Sequence, residues 1–221
     1  MDNDQAVAKT RDFVEQKFSQ EGSGHDWWHM YRVWQLAKTI AQGETGADVL
    51  VVELAALLHD VADSKLAESE AAGREEIAAW LQQLGLGAAM VDAVLGAVQN
   101  VSFSSTIGTP ADGQHPLSLE ARIVSDADKL DALGAIGIAR AFAYGGHKQR
   151  MLYDPARPPE TYADAEAYHS NDTPTINHFY EKLLLLKDRL HTATARQLAG
   201  RRHQYMEQFL EEFYAEWEGK Q

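Results

Sequence analysis

The run VVELAALLHD, residues 51–60, constrains this chain more than any other stretch, because it is apolar on nearly every side and ends in an ionisable pair, His59-Asp60. A helix that is apolar all round belongs in the middle of a fold rather than on its surface. The pattern predicts that helix over about residues 48–62. An imidazole and a carboxylate at the end of a buried helix need compensation, and a divalent cation suits both.

Other helices surround it. Helical spacing at Val7, Phe13, Val14 and Phe18 predicts a first helix over about 4–20, ended by the Gly/Ser break EGSGH. A second, about 26–42, takes Asp26 as N-cap and Val33, Leu36, Ala37 and Ile40 as its apolar stripe, with His29 four positions before Val33 and so pointing inward. Helices over about 68–84 and 88–100 read as structural, and SFSSTIGTPADGQHPLS reads as a loop. One long helix is then predicted over about 119–144, ending at Gly145-Gly146, and two more over about 175–190 and 192–218. Residues 147–174, with four prolines and no periodicity, read as an excursion over a site. Without strand alternation or repeats, the reading is an all-α, single-domain chain over 1–221.

A formal charge of -13 argues against nucleic acid and anionic membrane surfaces as partners, since the mean field repels both. An anionic substrate then needs local positive charge. The absence of cysteine excludes disulfides, thiolate zinc and a cysteine nucleophile. The start MDNDQAVAKTRDF lacks the basic and apolar regions of a signal peptide, and no apolar run approaches the roughly 20 residues needed to cross a bilayer, so a cytoplasmic location is expected. A homodimer is compatible with all of this.

Further polar residues cluster by register. His25, His29 and Arg32 share a face if the second helix begins early enough, and Asp63 falls beside His59 and Asp60. In DADKLDALGAIGIAR, Asp128 and Asp131 share a face, while Asp126 is rotated about 200° from Asp128, so the three carboxylates cannot share one role. Trp27, Trp28 and Trp34 are expected in the core or at an interface, and Arg201-Arg202-His203 on a solvated helix face.

His29 in HMYRV, His59-Asp60 in LLHDVAD and Asp128 in DADKLDALG together resemble the HD-domain metal-dependent phosphohydrolases, whose pattern is a His, a later His-Asp doublet and a distant Asp. With GHDWWHMYRV, HDVADSK and INHFYEKLL, the likeness extends over most of the chain and is similar to the small bacterial YedJ/YpgQ-type branch. The resemblance implies a helical HD-domain fold and His29, His59, Asp60 and Asp128 as ligands of a divalent ion, Mn²⁺ or Mg²⁺ or another transition metal. Asp128 is preferred to Asp126 because it stands in the family's Ala-Asp-basic-Leu context. Two imidazoles and two carboxylates suit a roughly octahedral ion with open positions, one that acidifies a bound water and polarises a phosphoryl oxygen.

Asp63 is the candidate to orient or deprotonate that water, and His25 or Asp131 to support the ligands or donate a proton. Arg32, Lys65, Asp131, His178 and Lys182 are the candidates for contact with substrate; the basic ones among them supply local positive charge, and Arg32 is alternatively a clamp on a ligand carboxylate. The implied activity is hydrolysis of phosphate esters or anhydrides, with a small nucleotide as partner and cleavage of a (deoxy)nucleoside triphosphate to monophosphate and pyrophosphate. The alternatives are a nucleotidase or phosphodiesterase of the same superfamily, or a catalytically silent nucleotide-binding domain.

Overall fold

A computed structural model describes residues 2–19, 26–62, 69–99, 116–162 and 172–220. Among these the chain is helical and contains no strand. The helices are α1 (Asn3–Phe18), α2 (Trp27–Gly43), α3 (Val49–Leu58), α4 (Glu70–Gln83), α5 (Ala88–Val98), α6 (Leu119–Asp131), α7 (Gly134–His147), α8 (Asn177–Glu181), a 3-10 helix (Leu183–Arg189) and α9 (Ala193–Trp217).

The apolar helix takes the central place its composition predicts: α3 packs against α1, α2, α5 and α6. Apart from Val49 and Glu53, all its residues are buried. Burying a leucine or valine contributes about 1.5–3 kcal/mol, so this helix anchors the core. It is shorter than its hydrophobic pattern suggested. It stops at Leu58, and the imidazole of His59 donates from Nδ1 to the carbonyl of Ala56 at 2.8 Å, satisfying one of the acceptors that a helix end leaves open. Asp26 caps α2 as expected, accepting from the backbone N–H of His29 at 2.8 Å.

The long helix predicted over 119–144 is two helices, and the break decides the site. Gly134 adopts φ +74°, a left-handed conformation that glycine enters without steric cost, and the guanidinium of Arg202 in α9 donates to the carbonyl of Leu130 just before the turn. Arg202, expected on a solvated face, is therefore committed to this joint; neighbouring Arg201 is exposed. On an unbroken helix Arg140 would lie about 13.5 Å along the axis from Asp131 and about 180° around it. The turn instead brings its guanidinium to 2.7 Å from the Asp131 carboxylate.

Gly145-Gly146 does not end α7, which runs on to His147. At Gly145 α7 packs tightly against the segment before α8: a Cβ there would sit 2.2 Å from Thr175 Oγ1. The helix predicted over 175–190 is a short α-helix followed by a 3-10 helix. Trp27 is buried and Trp34 is partly buried, donating to Glu53 at 2.8 Å, whereas Trp28, expected in the core or an interface, is 60% exposed. Among the described residues no helix is long and apolar enough to cross a membrane.

Candidate metal centre

Three segments bring donors together. α2 supplies His29, the turn that follows α3 supplies His59 and Asp60, and α6 supplies Asp128. One ligand atom from each of His29, His59 and Asp128 lies within 4.8 Å of the others. Asp60 stands against both imidazoles, with one oxygen 3.5 Å from His29 Nε2 and the other 3.3 Å from His59 Nε2. Asp128 Oδ1 is also 3.5 Å from His29 Nε2. Neighbouring ligands of an ion bound at about 2.0–2.2 Å are separated by about 3–3.6 Å, so these spacings fit a divalent cation.

The imidazoles are set in the tautomer that ligation requires. His59 Nδ1 can only donate to the carbonyl of Ala56, which leaves Nε2 with its lone pair; that atom is buried with no hydrogen-bond partner among the described residues. His29 Nδ1 donates to Asp131 at 2.8 Å, turning its own Nε2 towards Asp60 and Asp128. Burial pushes the His29 imidazole below its ordinary range despite the neighbouring carboxylates, so its neutral form prevails at pH 7. The His29 side chain is 1% exposed and that of Asp128 26%, so the centre opens to solvent on the α6 side.

Asp131 forms the back wall. Its carboxylate accepts from His29, from Arg32 at 2.6 and 3.0 Å, and from Arg140 at 2.7 Å. Burial alone would raise its pKa, but the hydrogen bonds from His29 and Arg32 and the charge of Arg140 outweigh it and hold the carboxyl far below the usual range. Arg32 and Asp131, both expected to touch substrate, are thus engaged with each other behind His29. Arg140 completes the pair and escaped the sequence reading, because helical register across nine residues cannot register a contact made through a turn.

Asp126 and Asp128 separate cleanly. Asp126 is fully buried and accepts from the backbone N–H groups of His191 and Thr192 and from the Thr192 hydroxyl, tying α6 to the start of α9. Lys129, also unforeseen, is buried and folds back to donate to the Ser125 carbonyl at 3.2 Å and to its hydroxyl. His178 and Lys182 lie on and just after α8. Burial, reinforced by Lys182 and Arg150, pushes His178 down to about 3, so at neutral pH it offers a hydrogen bond and no positive charge. His25, Asp63 and Lys65 lie outside the described residues.

A helical fold with this His, His-Asp, Asp centre defines a class, and the chain belongs to it: the HD domain family, whose pattern matches residues 27–133. The chain is 40% identical over 200 residues to the uncharacterized protein YpgQ of Bacillus subtilis (strain 168), covering 90% of this chain and 88% of that one. An HD-superfamily hydrolase from Bacillus thuringiensis superposes with a TM-score of 0.77 at 41% identity, covering 98% and 99% of the two chains. The structure of B. subtilis YpgQ in complex with ADP superposes with a TM-score of 0.78, covering 98% and 97%; matched residue by residue in space, the identity is 34%. The fold is that of the HD-superfamily hydrolases, and this relationship and the donor set both support a metal-dependent phosphohydrolase.

Proposed function

We propose that this protein hydrolyses a nucleoside or deoxynucleoside triphosphate to the monophosphate and pyrophosphate. The observation that carries the hydrolytic part is the pair of imidazoles, each hydrogen-bonded at Nδ1, with Nε2 of His29 3.5 Å from both Asp60 and Asp128 and Nε2 of His59 3.3 Å from Asp60. The nucleotide part draws on ADP bound to YpgQ, a relative over nearly the whole chain. A divalent ion held by His29, His59, Asp60 and Asp128 supplies Lewis acidity towards a phosphoryl oxygen and makes water a better nucleophile.

In this proposal one water oxygen forms a bond to the α-phosphorus, the bond to the bridging oxygen breaks, and pyrophosphate leaves. Asp63 orients the water and takes its proton, and His25 gives a proton to the leaving oxygen. Lys65 and Lys182 offset the phosphate charge on an otherwise acidic protein, and His178 adds a hydrogen bond. Arg32 and Asp131 act through His29, holding its ring in place.

The test is a panel of nucleotides with Mn²⁺ or Mg²⁺ and chromatographic identification of products. Equal amounts of monophosphate and pyrophosphate are expected, with orthophosphate appearing only when a pyrophosphatase is added. His59→Ala should cut turnover by more than about 100-fold, beyond the range that partners behind metal ligands command. Direct release of orthophosphate would make the enzyme a nucleotidase, and a metal-loaded protein that binds nucleotide without turnover would defeat the proposal.

A further inference from the structure

A second charged region lies at the far end of α7. Between Asp131 and Asp154 the chain has no acidic residue, although 33 of its 221 residues are Asp or Glu. The segment forms one wall of a surface cleft of about 390 Å³, lined by Tyr144, Lys148, Arg150, Arg157 and Asp172 together with Gln149 and Met151. Lys148 Nζ lies 5.7 Å and the Arg150 guanidinium 5.6 Å from the centre of the Tyr144 ring. Both cations are therefore gathered at one aromatic side chain.

The backbone produces that arrangement. Gln149 takes φ +55°, and the chain reverses in a helix-ending turn in which Arg150 N–H reaches the carbonyl of Gly145 at 2.9 Å. Cations after a helix often serve its open carbonyls, but here the backbone does so: Lys148 N–H bonds Tyr144 and Gln149 N–H bonds Gly146. The helix end therefore closes through its own backbone. Among the described residues that line the cleft, the one carboxylate, Asp172, pairs with Arg157 at 2.7 Å across an exposed contact, which costs little to exchange. Arg150 also acts on His178 together with Lys182, so positive potential extends from the cleft to α8.

We propose that this cleft binds a phosphate-bearing anion, with Lys148, Arg150 and Arg157 as its charged contacts and Tyr144 holding two of them in place. The ligand class is an oligophosphate, either the phosphate chain of a nucleotide or a free inorganic phosphate chain. Arg guanidinium groups suit it because their N–H fork matches phosphate oxygens in pairs. The proposal does not depend on turnover at the metal centre.

The experiment is calorimetric titration of the full-length protein with inorganic pyrophosphate in the presence of a chelator, at low and moderate salt. Wild type should bind one equivalent, more weakly at higher salt. Lys148→Ala with Arg150→Ala, and Arg157→Ala separately, should each weaken binding, the pair by about tenfold or more. These side chains are exposed at the surface or partly so, and circular dichroism would verify the fold. If the cleft receives the substrate's own phosphates, the double variant raises KM and pyrophosphate competes with nucleotide. If it receives a separate anion, KM and kcat without added pyrophosphate are unchanged, and its effect on turnover disappears in the variant. No binding by wild type, or equal binding by wild type and the double variant, overturns the proposal.

Discussion

At the metal centre the side chains of His29 and His59 are 1% and 2% exposed, and each is fixed from behind by a hydrogen bond. At the α7 cleft Tyr144 is 45% exposed, and its cations sit on long side chains over the ring. The first region gathers donors for a cation, and the second gathers cations. The difference reflects desolvation: carboxylates kept in a dry interior must be matched in advance, which requires rigid helices and partners such as Arg32 and Arg140. Exposed cations remain hydrated and need only be close together. Precision belongs to the centre, and adaptability to the cleft.

Breaking the buried side should have the largest effect. Asp131→Asn removes the charge that faces His29, Arg32 and Arg140 and turns one of its two acceptor oxygens into a donor, and outer partners of this kind typically govern metal affinity by about 10–100-fold. Leaving the part-buried Arg32 and Arg140 without their carboxylate should also cost about 1–3 kcal/mol of stability. Metal titration and urea denaturation would measure the two losses; an unchanged metal affinity would show that Asp131 does not position His29.

An intermediate effect is expected at His178 in α8. Its folded pKa is depressed to about 3 from 6.5 by burial, Lys182 and Arg150. Between these values the unfolded chain binds a proton that the folded chain does not. The associated stability is complete above about pH 6.5 and is lost as pH falls towards 3. Urea midpoints taken at about pH 7 and about pH 4.5 should therefore differ less in His178→Gln than in wild type, and an equal difference would show that this histidine is not the one titrating.

The smallest change sharpens the cleft. Asp172→Asn removes the carboxylate that engages Arg157 at 2.7 Å and should leave the urea midpoint nearly unchanged, because the pair is exposed. Pyrophosphate binding should tighten by about two- to fivefold, the equivalent of such a pair. Weaker binding in this variant would remove Arg157 from the anion site.

Residue pattern alone determined the all-α class, the central position of α3 and the Asp26 cap, which follow from local periodicity and capping chemistry. The likeness to the HD-domain pattern pointed to His29, His59, Asp60 and Asp128, and the fold brings ligand atoms of His29, His59 and Asp128 together. The centre's back wall was beyond the reach of pattern, since Arg140 meets Asp131 only because the chain turns at Gly134, and Asp126 meets Thr192 from 66 residues away. The same holds for the cleft, where Tyr144, Arg150 and Arg157 are joined by a reversal at Gln149. Periodicity describes one helix at a time, whereas the partner of a buried charge is chosen by how separate helices pack, and that choice was made only in the tertiary structure.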